Sequence, residues 1–336
     1  MSTPLHFLTS RKKLWLTAQP SLFEEAGVSP SEIPAPSVNA TLGSGAEEQD
    51  VSVLRNQDIE EASNRLLIHR ISMALVPFFI KARFTPNFVS CLGALSGLTA
   101  AWFYFSFENP VACLLGLVFM IGWHIFDGAD GQLARQTGQT SPLGFVIDGV
   151  CDYATFIFVY VAIALALSDV YGNNVWIIVV SAGVFHAIQA AAFEMQREFY
   201  IRWTGDEVYA HLSEKLDDVC SSATANFIAQ IYKYVQEYFR PLSCELEEHL
   251  RNSEMDKARQ SLTQVSYQTH FRKHVLAWSI LSANNRTIAI FLFCLIGQPL
   301  WYFIYEMTFL TLVLLVLVKL NRKAQLKFAQ ELGIKG

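Results

Sequence analysis

Six long apolar runs constrain this chain more than any other feature of it. They lie near residues 86–106, 110–131, 143–167, 174–196, 276–297 and 299–320. Each is close to the roughly 20 residues that a helix needs to cross a hydrocarbon core. Charged residues make up only 16% of the 336-residue chain. They concentrate outside these runs, in 1–83, 197–274 and 319–336. Together with a hydrophobic content of 52%, this is the pattern of a polytopic membrane protein with soluble extensions. The net charge of −5 averages over soluble and buried segments and gives no sign of a nucleic-acid partner. The expected fold is an all-α integral membrane protein with six transmembrane helices. An amphipathic interfacial helix precedes them, and a cytosolic helical insertion separates spans 4 and 5.

The connecting loops predict the orientation. The segments "SFENP" at 106–110, "SDVYGNN" at 168–174 and "GQP" at 297–299 hold no Lys or Arg. The opposite side carries Arg11, Lys12, Lys13, Lys81, Arg83 and Arg135, ten basic residues within 197–274, and the tail "KLNRKAQLK". The positive-inside rule therefore predicts cytosolic termini. Along the chain, 1–58 is rich in Pro, Ser, Gly and Glu and reads as a largely disordered cytosolic extension. Residues 59–196 hold the amphipathic helix at 59–82 and spans 1–4, with Pro77 expected to kink or end that helix. Residues 197–274 read as two or three amphipathic cytosolic helices, and 275–336 as spans 5 and 6 with a cytosolic tail. The six cysteines include no CxxC pair and read as small apolar residues in a reducing compartment.

Against this background, "FDGADGQLARQTGQTSPLGFVIDGVCDYATF" places Asp127, Asp130, Asp148 and Asp152 among apolar neighbours. Ionisable groups in membrane segments are costly and usually mark function. With Arg135 alone nearby, internal pairing cannot neutralise four acids, so either several are protonated or a cation is present. The spacing favours the cation. Asp127 and Asp130 are at i and i+3, and Asp148 and Asp152 at i and i+4, so each pair shares a helix face. The turn "TGQTSP" makes the two pairs face each other across an antiparallel hairpin. Converging carboxylates suit Mg²⁺ or Mn²⁺, with two ions expected. Zinc is disfavoured, because no His or Cys accompanies them at zinc-like spacing. Gly131 and Ala134 lie four residues after Asp127 and Asp130, and Gly144 lies four before Asp148. These small residues open space beside the metals for a phosphate-bearing ligand, to which Arg135 can add a charge-assisted contact.

The run Asp127-x2-Asp130-Gly131-x2-Ala134-Arg135-x8-Gly144-x3-Asp148-x3-Asp152 resembles, without a departure, the signature of the CDP-alcohol phosphatidyltransferases. The segment "TPNFVSCLG" at 85–93 is similar to the start of that family's first span. The resemblance covers roughly 60–200 and, loosely, the last two spans. It implies a six-helix membrane enzyme, commonly a homodimer, that transfers a substituted phosphate from a CDP-linked donor to an alcohol and releases CMP. It further implies that Asp127, Asp130 and Asp148 ligate the metals, and that Asp152 is the general base and a further metal residue. Gly131, Ala134 and Gly144 would accommodate the cytidine, with Arg135 beside the nucleotide. An active site facing the cytosol fits, since CDP-linked donors are presented there.

The acceptor side is less defined. Arg286, in "SANNRTIAIF", has two readings: a ligand for an anionic acceptor or donor phosphate, or a snorkelling interface anchor. Arg197 and Arg202 can be acceptor ligands or ordinary positive-inside flanks. Glu194 and Gln189 can line a polar acceptor cavity. His124 reads as a packed histidine within reach of the acids, and Trp123, Trp176 and Trp301 as interfacial anchors. Gly93, Gly97 and Ala100 form a small stripe that allows close helix packing or a dimer contact.

The expected reaction transfers phosphatidyl from CDP-diacylglycerol to a small alcohol, in membrane phospholipid synthesis. The alternative is transfer from CDP-choline or CDP-ethanolamine to a diglyceride. A membrane prenyltransferase would show two separated aspartate-rich motifs, whereas this chain has one hairpin. A cation transporter would spread its acids over several helices near mid-membrane.

Overall fold

Polar residues followed by proline mark the starts of four helices. In the computed structural model, which describes residues 67–204, Leu246, Leu250 and 257–333, all regular structure is helical. The N-terminal extension, the first turns of the helix expected at 59–82 and most of the 197–274 insertion lie outside the described residues. Helix α1 is His69–Lys81, α2 Pro86–Phe105, α3 Pro110–Thr137, α4 Pro142–Tyr171 and α5 Val175–Thr204. Then come α6 (Lys257–Trp278), a 3₁₀ turn (Ser279–Leu281), α7 (Ala283–Leu295), α8 (Pro299–Tyr305), a π turn (Glu306–Leu310) and α9 (Thr311–Glu331). Pro86, Pro110, Pro142 and Pro299 each occupy a first-turn position, where a missing N–H costs nothing. The side chains of Thr85, Asn109 and Ser141 accept from backbone N–H groups of the first turns they cap.

Six helices are long and apolar enough to cross a membrane: Pro86–Phe105, Pro110–Thr137, Val146–Tyr171, Val175–Thr204, Gln264–Leu295 and Pro299–Glu331. They make the chain an integral, multi-pass membrane protein. Large apolar side chains such as Trp102, Ile177, Val180 and Leu312 are exposed on them, as a lipid-facing surface requires. Most of these helices outrun the stretches expected from hydropathy. α3 reaches Thr137 and α5 reaches Thr204, because their polar ends remain helical. Pro77 does not break α1, which runs on to Lys81 before the chain turns at Arg83 with φ 57°. The fifth span is a broken helix. α6 stops at Trp278, a 3₁₀ turn follows, and α7 restarts at Ala283.

The core sits where α2, α3 and α4 meet, the most extensive packing among the described elements. Small residues permit it. A side chain at Gly97 would collide with Thr155, and one at Gly116 with the Tyr104 ring at 2.9 Å. Gly93 faces Trp123 and Phe126, so the small stripe of the first span is used for packing within this chain. Helix α1 lies against α3, where the Ser72 hydroxyl donates to the Ile125 carbonyl at 2.8 Å. A second apolar cluster joins Tyr200, Trp203, Tyr267, Phe271 and Phe328 with Leu246 and Leu250 of the insertion. It ties the ends of α5, α6 and α9 together. α6 also passes through the boundary expected at 274/275, so the end of the insertion and the fifth span share one helix.

Candidate active site

The aspartate hairpin is built by the end of α3 and the start of α4. Gly138 closes α3 in the left-handed region, at φ 66°, which glycine adopts without strain. Three residues later Ser141 caps α4, accepting from the Gly144 N–H at 3.0 Å. This short connection turns the chain back, so that acids of the two helices converge. Asp127, Asp148 and Asp152 then each offer a carboxylate oxygen, all within 4.8 Å of one another. Two oxygens on one Mg²⁺ at about 2.1 Å can stand up to roughly 4.2 Å apart, so small side-chain rotations bring these groups to an ion. The donor set is all oxygen, which suits a hard cation.

Asp130 stands slightly apart. It is buried, and its Oδ2 accepts from the Ser90 hydroxyl of α2 at 2.5 Å. It remains within electrostatic range of Asp127 and Asp148. Asp152 has a partner of its own: the indole N–H of Trp123 donates to its Oδ1 at 3.2 Å. Trp123 is therefore no interfacial anchor. It is buried against Phe156 and the ring of His124. Sequence reasoning missed Trp123 and Ser90. A signal existed for the first, which lies four residues before Asp127 on the same helical stripe. For Ser90 no local pattern points across to α3.

The small residues behave in two ways. Around Gly131, among the described residues, an added Cβ would meet only Arg135 Nη1, at 3.5 Å. At Gly144 an added Cβ would press on Ser141 Oγ at 3.1 Å and Asn87 Oδ1 at 3.2 Å. Gly131 thus borders open space, while Gly144 permits the close approach of α4 to α2. Ala134 and Arg135 are half-buried.

Residues expected at the acceptor side separate into two groups. Glu194 and Arg197 form an ion pair at 2.5 Å, and the Arg202 guanidinium lies 5.6 Å from the Trp203 ring centroid. Tyr153, next to Asp152, is within electrostatic range of Glu194. Arg286 differs. At 1% exposure it is not a snorkelling anchor, because no part of it reaches an interface. Its Nε donates to Glu306 Oε1 at 3.0 Å, its Nη2 to Gln189 Oε1 at 2.8 Å, and its Nη1 to the Leu281 carbonyl. Gln189 in turn donates to the Glu306 carbonyl at 3.0 Å and to Thr311 at 3.1 Å, so it is a member of this cluster rather than free to line a cavity. His124 is buried, with its Nε2 3.0 Å from Thr287 Oγ1.

Residues 83–239 match the family model described as CDP-alcohol phosphatidyltransferase, and this range holds the whole aspartate hairpin. No curated protein matches the chain. Proteins of this family take a phosphate-linked group from a CDP-alcohol and release CMP, and are generally metal-dependent. Six membrane helices and a three-carboxylate cluster at the matched segment agree with that chemistry, and residues 83–239 are similar to a CDP-alcohol phosphatidyltransferase domain.

Proposed function

We propose that this protein transfers a phosphatidyl group from CDP-diacylglycerol to a small alcohol at the cytosolic leaflet. The observation that carries the reading is Asp152: a carboxylate beside Asp127 and Asp148, held by the Trp123 indole. In this reading Asp127, Asp130 and Asp148 hold one or two Mg²⁺ or Mn²⁺ ions, and Asp152 is the base that can also touch a metal. Ions held there would offset the charge of the pyrophosphate and of the departing CMP. The chain's own groups do the rest. Asp152 takes the proton of the acceptor hydroxyl as its oxygen bonds to the β-phosphorus, and the bond from that phosphorus to the CMP oxygen breaks. Trp123 fixes the carboxylate's direction during this transfer. Gly131 and Ala134 leave room for the cytidine, Gly144 lets α4 approach, and Arg135 stands beside the phosphates.

Glu194, Arg197 and Arg202 are assigned to the approach of the acceptor, next to Tyr153. Arg286 is set apart from them, since it is buried and three of its five N–H donors are taken by protein acceptors. The positive-inside distribution supports cytosolic termini and a cytosolic site. Family resemblance supports a homodimer.

The test is turnover. Purified protein in lipid–detergent micelles is given CDP-diacylglycerol, CDP-choline or CDP-ethanolamine with Mg²⁺ or Mn²⁺ and a panel of acceptors. CMP release and product masses are followed. CMP from CDP-diacylglycerol with a phosphatidyl-alcohol product is expected. Release only from CDP-choline or CDP-ethanolamine with a diglyceride would reverse the donor assignment. No CMP from any donor would remove the reading.

A further inference from the structure

Beside the aspartate hairpin lies a polar cluster that the reaction, as described, does not use. Arg286 and Glu306 are 1% and 0% exposed, and both sit inside apolar spans. The second carboxylate oxygen of Glu306 accepts from Tyr302 at 2.6 Å and from Tyr160 at 3.3 Å. The Tyr160 hydroxyl also contacts His186 Nδ1 and the Tyr302 hydroxyl, both at 2.9 Å. Stability does not account for such a group. A buried ion pair is often matched or bettered by apolar residues of similar volume. A single-turn π insertion, as at Glu306–Leu310, is frequent at functional positions.

The arrangement of the guanidinium is informative. Three of its five N–H donors reach three separate elements: the π turn through Glu306, α5 through Gln189, and the 3₁₀ turn through the Leu281 carbonyl. Arg286 thereby staples the break in the fifth span and fixes the direction in which α7 sets off. The next residue, Thr287, meets His124 of α3. The residue before His124 is Trp123, the donor to Asp152.

We propose that the Arg286–Glu306 cluster positions the reacting carboxylate: it fixes the start of α7, so that the Thr287–His124 contact holds the adjoining Trp123–Asp152 hydrogen bond. This rests on the reading of Asp152 as the base and metal-side carboxylate. Thr287, Arg286 and Glu306 are positioning residues, and none of them touches substrate. Trp123 stands one step behind Asp152, where removal of a partner commonly costs tenfold or more, and Thr287 acts through it.

The test is a double-variant cycle on Thr287→Val and Trp123→Phe, with Thr287→Ser as the conservative control and Arg286→Lys as the upstream change. Two quantities are read: kcat and KM for the CDP-linked donor, and Mn²⁺ affinity from the loss of the free-ion electron paramagnetic resonance signal. Thr287→Val is expected to lower kcat roughly tenfold with KM within about twofold, to weaken Mn²⁺ binding about threefold, and to be largely rescued by Thr287→Ser. Arg286→Lys should act in the same direction. In the Trp123→Phe background Thr287→Val should add less than about a twofold further change in either quantity. Full multiplication of the two effects, or wild-type kcat and Mn²⁺ affinity in Thr287→Val, would overturn the proposal. Should no CDP-linked donor release CMP, the proposed reaction fails alone, because the Mn²⁺ cycle still reads the coupling. Equal Mn²⁺ binding in all variants, or none in any, would then end the positioning role as well.

Discussion

Four aspartates of one motif have acquired different surroundings, and their substitutions should differ accordingly. Asp152→Asn keeps the shape and the Trp123 contact but removes the proton acceptor. We expect transfer to fall by at least about a hundredfold, with CDP-donor binding largely intact. Asp127→Ala should weaken both donor binding and transfer. Steady-state CMP release beside equilibrium binding of the donor separates the two, and full activity in either variant would dissolve the assignment. Asp130 rests on Ser90. A hydrogen bond to a charged group is worth about 1.5–3 kcal/mol, so Ser90→Ala should lower Mn²⁺ affinity by about tenfold or more if Asp130 is a ligand. Unchanged affinity would take Asp130 out of the ligand set. The aspartates were legible because their spacing is local to two helices. Ser90 and Glu306 were not, since their partners lie 40 and 20 residues away; Trp123 shares the stripe of Asp127, but its partner Asp152 is 29 residues on. Arg286 shows the limit from the other side. Its presence in an apolar run was conspicuous, but no pattern in the sequence says whether a ligand or a protein carboxylate meets it.

At the scale of elements, helix starts were written plainly in Thr85-Pro86, Asn109-Pro110 and Ser141-Pro142. The helix ends were less plain, because hydropathy marks where lipid stops and not where hydrogen bonding stops. α3 and α4 therefore extend beyond their apolar stretches, and the extension of α3 carries Ala134 and Arg135 past the aspartates. The break at Ser279–Ser282 gave no warning. "VLAWSILSANN" holds neither Gly nor Pro, and the 3₁₀ turn is kept by Arg286 from within the bundle. Packing of α2 on α4 rests on Gly97, with Thr155 filling the space where a side chain would be. Gly97→Val should cost about 1–3 kcal/mol by overpacking, seen as a lower midpoint of thermal unfolding in detergent, with activity falling in parallel. A variant of unchanged midpoint would mean that α2 and α4 can separate freely.

For the whole molecule, the six-span layout was legible because a membrane leaves few options: every backbone group must be paired inside a helix. The asymmetry of Lys and Arg is the ground for the proposed orientation. Single cysteines at Glu108 and Asn173 should react only after the membrane is permeabilised, and one at Gln325 should react from the cytosolic side at once. The reverse pattern would turn the active site outward, away from its nucleotide donor. The joining of Leu246 and Leu250 of the insertion to Tyr200, Tyr267 and Phe328 was not legible, because it links distant parts of the chain.

The buried Arg286–Glu306 pair also has a consequence for how the chain is made. Spans are handed to the membrane in order, and the fifth arrives with a charge whose partner is still unsynthesised. An arginine near the centre of a span costs about 2.5–3.5 kcal/mol at the insertion machinery. Only three residues, Ile296 to Gln298, separate α7 from α8. The last two spans should therefore be taken up as one unit. A chain stopped after Leu295 should leave its fifth span poorly inserted by glycosylation-site mapping, and either restoring the sixth span or Arg286→Leu should correct it.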